Sequence, residues 1–224
     1  MRRPWSARPT CLATGGERLA AGLTEPIARR AGRARYPWWS MAVHLGDPAR
    51  PFTYEDLEAL PDDGYRREII GGRLIATPAP NARHQLVVAH LLAILHAAKT
   101  AEAAVVTAPY DWRLPDGGSV QPDLVVVRRE DVDLDGPLPA SALPLLVVEV
   151  LSASKPEQDR AVKKALYEHL GVSAYWLVDP AIPSIVVFRL YRGRYQVEAS
   201  VTGDEALESD WPFPVRVVPG DLLR

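Results

Sequence analysis

The 224-residue chain has one cysteine, almost no net charge and no long apolar run. A lone Cys11 excludes an internal disulfide and a cysteine-based zinc cluster, which fits a cytoplasmic protein. No apolar segment approaches the roughly 20 residues that cross a bilayer, so we expect no membrane partner. The formal net charge of -2 means that any contact with nucleic acid would have to come from a local basic patch.

The first 50 residues differ in composition from the rest of the chain. Arginines are frequent in residues 1–40, whereas Glu17 and Glu25 are the only acidic residues there, and no apolar core of a signal peptide follows. We predict a basic, disordered extension over residues 1–50 and a single domain over residues 51–224. The extension is a basic arm that touches nucleic acid, a targeting-like leader, or sequence upstream of a natural start at Met41.

From residue 51 onward, hairpins and a strand–helix–strand unit follow one another. The pattern of apolar residues, caps and turns predicts helices over 53–60, after Asn81 (with an apolar stripe that begins at Leu86) and over 157–170. It predicts strands over 66–70, 73–77, 103–107, 110–114, 124–127, within 143–154, and over 174–178, 184–191 and 194–199. This order indicates an α/β domain with a mixed central β-sheet flanked by helices.

One carboxylate, Glu149, lies inside the apolar segment LPLLVVEVLSAS at 143–154. So dense a run of leucine and valine is typical of a strand that is buried on both faces. An ionised glutamate without a partner would be costly there, so something must compensate its charge. A metal ion, a neighbouring Lys or Arg, or a position at the open end of the strand would each do so.

A second carboxylate, Asp123, stands directly before the apolar strand at 124–127. If the two strands are neighbours, Asp123 and Glu149 would converge on one divalent cation. Hard oxygen ligands suit magnesium or manganese, and such a site would hydrolyse a phosphodiester. An isolated Pro-Asp pair is otherwise typical of the turn that leads into a strand.

Four blocks in fixed order resemble the Uma-two family of endonucleases: PDLVVV at 122–127, EVLSAS at 149–154, DRAVKKALYEHLGV at 159–172 and YWLVDP at 175–180. YRREIIGGRL at 65–74 and the helix that contains His84 also resemble that family. The family is assigned to the PD-(D/E)XK superfamily, which shares the fold of type II restriction endonucleases. The resemblance therefore implies a restriction-endonuclease-like core and a Mg²⁺- or Mn²⁺-dependent endonuclease that acts on nucleic acid, with DNA as the expected substrate.

The resemblance also implies roles for particular residues. Asp123 and Glu149 correspond to the metal-binding acidic pair, and Glu68 to the additional acidic residue of the superfamily. The superfamily lysine would fall on Leu151, so this chain departs from the motif there. Lys163, on the helix that follows, is the expected substitute, which would stabilise the attacking hydroxide or the developing negative charge.

Three further residues are candidate auxiliaries. His84 would donate to a phosphate or lie near the metal, or it is a cap or packing residue of its helix. Asp159 has the i,i+4 spacing for an ion pair with Lys163, which could equally be a solvated surface pair. Tyr167 is expected to pack the helix on the sheet with its hydroxyl pointing outward.

Two other interpretations remain open. Leu151 and the low net charge favour a nuclease fold without catalysis, serving as a DNA-binding or protein-interaction module. Alternatively, Glu149 and Lys163 form a purely structural ion pair. Proteins with restriction-type folds often dimerise so that two active sites act on the two strands of a nucleic-acid duplex. This analogy alone predicts a homodimer.

Overall fold

The computed structural model describes residues 43–45, 50–61, 64–152 and 157–224; at 43–45 and 157–159 it describes the backbone alone. All of these residues belong to one compact unit, Trp39–Arg224. The predictions for residues 1–40, including a natural start at Met41, lie outside the described residues. No described helix combines the length and the apolar character that a membrane crossing needs.

Strands predominate over helices in this unit. The strands are β1 (Val43–Leu45), β2 (Arg66–Ile70), β3 (Arg73–Thr77), β4 (Ala103–Thr107), β5 (Trp112–Arg113), β6 (Ser119–Val120), β7 (Leu124–Arg128), β8 (Leu146–Val150), β9 (Ala174–Asp179), β10 (Ser184–Tyr191), β11 (Arg194–Thr202), β12 (Leu207–Ser209) and β13 (Val215–Val217). The α-helices are α1 (Tyr54–Glu58), α2 (Ala82–Ala98) and α3 (Glu157–Leu170). Short 3₁₀ helices cover Arg129–Asp131 and Pro219–Leu223.

A six-stranded mixed sheet, in the order β11-β10-β9-β8-β7-β4, forms the centre of the fold. Strands β8 and β9 are parallel, and the other neighbours in this sheet are antiparallel. Parallel neighbours need a crossover connection, which α3 supplies. Every residue of β8 is buried, as the apolar run around Glu149 predicts. The α/β class with a mixed central sheet is confirmed.

A second sheet, in the order β1-β3-β2-β6-β5, carries the hairpin of β2 and β3. Both hairpin strands have the predicted bounds, and Glu68 pairs with Ile75 across them. Strand β1 pairs with β3, so the sheet begins at Val43 instead of at the predicted domain boundary of residue 51. Three residues are too few for an alternating pattern, so this pairing with β3 is not visible in the sequence.

Helix α2 begins at a side-chain cap, because the Asn81 side chain accepts a hydrogen bond from the His84 backbone N–H at 3.0 Å. Leu91 and Leu95 on its apolar stripe are fully buried. Leu86, predicted to belong to that stripe, is instead 50% exposed. The prediction was wrong for Leu86 because the helix turns that position away from the sheet.

Apolar side chains fill both faces of the six-stranded sheet. Val148 and Trp176 belong to the core on the α2 face, whereas Val147 and Tyr175 belong to the core under α3. Successive residues of a strand point to opposite faces, so Glu149 shares the α3 face with Val147. The pleat of β8 therefore directs the buried carboxylate toward the helix that carries Lys163.

We predict that the two glycines of the β2–β3 turn differ in their tolerance of alanine. Both adopt positive φ, +56° at Gly71 and +72° at Gly72, but a Cβ on Gly72 would lie 2.5 Å from the Pro51 Cβ, whereas one on Gly71 meets nothing within 4 Å. Gly71→Ala should cost about 1 kcal/mol of unfolding free energy in urea titration. Gly72→Ala should cost clearly more, and equal losses would mean that the contact with Pro51 relaxes freely.

Candidate active site

Three buried carboxylates meet where the β2–β3 hairpin approaches the ends of β7 and β8. Glu68 comes from β2, Asp123 stands directly before β7, and Glu149 lies in β8; their exposures are 2%, 1% and 4%. Charged groups are seldom buried this deeply without compensation. The surrounding side chains must therefore supply positive charge and hydrogen-bond donors.

Antiparallel pairing of β7 with β8 brings Asp123 and Glu149 together. The register places Leu124 opposite Val148, so the preceding Asp123 reaches the end of β8. Its Oδ2 accepts a hydrogen bond from the Val150 backbone N–H at 2.8 Å. The two strands are therefore neighbours, as the convergence of the two carboxylates requires.

Arg66 links two of the carboxylates from the hairpin side. Its Nη1 lies 2.6 Å from Asp123 Oδ1, and its Nη2 lies 3.5 Å from Glu68 Oε1. Burial alone would lower the pKa of Arg66, but the carboxylates of Glu68 and Asp123 outweigh burial and raise it. Arg66 was not predicted from the sequence; the available signal was its spacing of two from Glu68, which puts both on one face of β2.

Lys163 links Glu149 to Glu68 from the other side. Its Nζ donates to Glu149 Oε1 at 2.8 Å and to Glu68 Oε1 at 2.7 Å, and the residue is only 7% exposed. Burial would lower the pKa of Lys163, but the charges of Glu149 and Glu68 raise it above its usual value. Lys163 is therefore a fixed ammonium at neutral pH and not a proton acceptor.

Tyr167 lies one helical turn after Lys163 and directs its hydroxyl inward. The hydroxyl donates to Glu149 Oε1 at 2.8 Å, so the predicted outward orientation was wrong. The ring is held between Trp112, stacked at 6.3 Å, and Tyr175, tilted at 5.5 Å between centroids. Burial and the charge of Glu149 raise the pKa of Tyr167 well above its usual value, so it remains a hydrogen-bond donor.

His84 completes the environment of Asp123. Its Nε2 lies 3.1 Å from Asp123 Oδ2, and the residue is buried in the first turn of α2. Its Nδ1 is buried and has no hydrogen-bond partner among the described residues. His84 therefore lies beside Asp123, and its auxiliary role stays a prediction.

Three further residues bear on the site: Gln121 and Leu151 lie at it, whereas the side chain of Asp159 is not described. The Gln121 backbone N–H donates to Glu68 Oε1 at 2.8 Å, which was not predicted. Leu151, at the motif lysine position, is buried at the end of β8. The side chain of Asp159 lies outside the described residues, so its pairing with Lys163 stays a prediction.

A comparison with protein-family profiles matches residues 54–218 to Uma2, described as "Putative restriction endonuclease". The matched range covers most of the chain and contains all three carboxylates, Arg66 and Lys163. The chain belongs to the Uma2 family. Its family description supports a nuclease, a hydrolase that acts on nucleic acid. A search of curated proteins finds no match for this Uma2 chain.

A solved structure from Anabaena variabilis shares the fold of this Uma2 chain. It is described as "a putative nuclease belonging to DUF820" and aligns with a TM-score of 0.62 at 18% sequence identity. The alignment covers 77% of the Uma2 chain and 98% of the Anabaena chain. This likeness confirms the fold that the four sequence blocks imply.

A partly open pocket lies beside the Uma2 carboxylate cluster. Its charged lining residues are Glu68, Glu149, Arg160 and Lys163. Its apolar wall consists of Ile70, Ile75, Val150, Leu151, Val162 and Leu177. Low surrounding polarity strengthens the electrostatic effect of the four charged groups on anything that enters the pocket.

The donor chemistry of the cluster fits a divalent cation. Carboxylate oxygens from Glu68, Asp123 and Glu149 are the hard ligands that magnesium and manganese prefer. In the arrangement described here, however, Arg66 and Lys163 stand between these carboxylates. Among the described residues, no group of three or more His, Cys, Asp or Glu side chains is disposed to hold an ion. These residue types are therefore suitable ligands for a divalent metal, provided that Arg66 or Lys163 moves away from the carboxylates.

We predict that Lys163→Met strongly destabilises this Uma2 domain. Without the ammonium, Glu68 and Glu149 would stay buried with less compensation, and removal of one partner from a buried pair costs about 3 to 5 kcal/mol. Lys164→Met is the matched control, because the Lys164 ammonium lies over the Phe188 ring at 4.2 Å and not among the carboxylates. The free energy of unfolding is measured by urea titration for both variants. Small and equal losses in the two variants would contradict the structural role of Lys163.

Proposed function

We propose that this Uma2 protein is a divalent-metal-dependent endonuclease that hydrolyses phosphodiester bonds of DNA. The observation that carries the proposal is the buried Lys163 ammonium, which donates hydrogen bonds to both Glu68 and Glu149. It supplies, from α3, the positive charge that the superfamily motif would place at Leu151. The carboxylates and the amine required by the motif thus occur together although the motif itself is broken.

Asp123, Glu149 and Glu68 would hold the magnesium or manganese ion. When bound, such an ion acts as a Lewis acid on the phosphoryl group and lowers the pKa of a water molecule. The hydrogen bonds from His84 and from the Val150 N–H orient Asp123 for this task. Hydrogen bonds of this kind typically determine how well a carboxylate ligand is positioned.

Lys163 would stabilise the negative charge that develops during phosphodiester hydrolysis. A preorganised ammonium in a pocket of low polarity costs no reorganisation when the charge appears. Its raised pKa keeps it protonated, so it acts through charge and not as a base. Tyr167 positions Glu149 through its hydroxyl and does not itself reach the reacting atoms in this scheme.

A second candidate function is a nuclease-fold module that binds DNA or a protein without catalysis. The observation in its favour is that Arg66 and Lys163 already compensate the carboxylates. In that case the network is structural, and Glu149→Gln would lower the unfolding free energy without changing nucleic-acid binding. Calorimetric titration with manganese separates the two functions, since a binding-only module has no need of the ion.

We predict that Asp123→Asn and Glu149→Gln each reduce magnesium-dependent plasmid cleavage by about 100-fold or more. Each substitution removes a negative charge from the site and nearly preserves the side-chain volume. Glu130→Gln is the matched control, because Glu130 is exposed beyond the end of β7. Cleavage is measured by the conversion of supercoiled plasmid, with a parallel arm in a metal chelator that should show none.

Equal cleavage by the wild type and both site variants would reject the proposed active site. Parallel arms with single-stranded DNA and with RNA test the proposed preference for DNA. The predicted homodimer is checked on the same preparation by light scattering after size-exclusion chromatography, with and without a DNA duplex.

A further inference from the structure

The guanidinium of Arg66 stands between two of the carboxylates proposed to hold the metal. It contacts Asp123 Oδ1 at 2.6 Å and Glu68 Oε1 at 3.5 Å. A magnesium or manganese ion would bind a carboxylate oxygen at about 2.1 Å. An ion on Asp123 Oδ1 would therefore lie within about 5 Å of the guanidinium that shares this oxygen, in a site from which water is largely excluded.

Two positive groups at that separation repel each other strongly where the dielectric constant is low. Among the described residues, Glu68, Asp123 and Glu149 carry three negative charges, and Arg66 and Lys163 supply two positive charges in contact with them. Adding a divalent ion while both stay in place would turn a small negative excess into a positive one. Electrostatics thus favours the departure of one cation when the ion arrives.

Of the two cations, Arg66 is the one placed to leave. Its side chain is 14% exposed, against 8% for Lys163 and 1% for Asp123. Arg66 is therefore slightly more exposed than Lys163, and its contact with Glu68 is long at 3.5 Å, whereas Lys163 makes two short contacts at 2.7 and 2.8 Å. The Nε of Arg66 is buried without a hydrogen-bond partner among the described residues, so the guanidinium is incompletely satisfied where it lies.

We propose that Arg66 is an exchangeable counter-ion, which holds Asp123 and Glu68 in the metal-free protein and withdraws when a divalent cation binds them. This inference rests on the proposed metal-dependent function and adds a competition between a side chain and the metal. The exchange keeps the buried carboxylates compensated in both states. It also makes the apparent metal affinity lower than the carboxylates alone would provide, because Arg66 must first be displaced.

The test is the affinity of Arg66→Gln for manganese alone, measured by calorimetry in metal-free buffer. Removal of the competing charge should lower the dissociation constant by about ten-fold or more relative to the wild type. Arg73→Gln is the matched control, because it removes the same charge from an exposed position of the same hairpin. Its dissociation constant should stay within about two-fold of the wild type.

Unchanged or weaker manganese binding by Arg66→Gln, with the wild type still binding, would overturn the exchange and leave the proposed endonuclease intact. Absence of binding in both proteins would overturn the exchange and the metal dependence together. Loss of Arg66 also leaves two buried carboxylates less compensated, so Arg66→Gln should be destabilised without metal and regain more stability from manganese than the wild type does.

If Arg66→Gln does not fold even with manganese, Arg66→Lys tests whether residue 66 competes with the metal. A lysine keeps the charge but presents one compact ammonium in place of a fork, so it would contact only one of the two carboxylates. We expect it to fold and to bind manganese about three-fold or more tighter than the wild type. An affinity equal to that of the wild type would overturn the exchange.

Discussion

Compensation of three buried carboxylates by Arg66 and Lys163 is the interaction on which the rest of the described structure depends. Lys163 touches Glu68 and Glu149, and Arg66 touches Glu68 and Asp123, so each cation serves two acids. Removal of a charge from water is costly, and the cost is recovered only if the partners are correctly placed. The hairpin, the ends of β7 and β8, and α3 must therefore assemble in one arrangement.

Aromatic packing supplies the rigidity that this arrangement needs. Tyr167 lies between Trp112 and Tyr175, and its hydroxyl reaches Glu149 from the same helix that carries Lys163. The four-residue spacing of Lys163 and Tyr167 puts both on one helical face. Packing of that face on the sheet thus positions the ammonium and the hydroxyl together.

Regular elements with long apolar patterns were predictable from the sequence. The bounds of the β2–β3 hairpin, β4, β10 and α3 agree with the periodic patterns and turn residues. Strand β5 lies inside the strand predicted over 110–114 but is only two residues long. The two-residue strand β6 and the short pair β12 and β13 offer too few positions for a period to be visible. Leu86 shows a related limit: it belongs to the apolar pattern of α2, but the sheet covers a narrower face of the helix and leaves it exposed.

The sequence by itself determined the α/β class and the family resemblance, and it singled out Glu149, because a carboxylate inside an apolar strand stands out without any structure. Asp123 was indicated by its place before the next apolar strand, and Glu68 was implied by the resemblance alone. The sequence also indicated Lys163, by its place on the helix that follows β8. Only the tertiary structure decided that Arg66 bridges Asp123 and Glu68 and that the Tyr167 hydroxyl points inward. Such contacts depend on which faces of separate elements meet, and no pattern within one element contains that information.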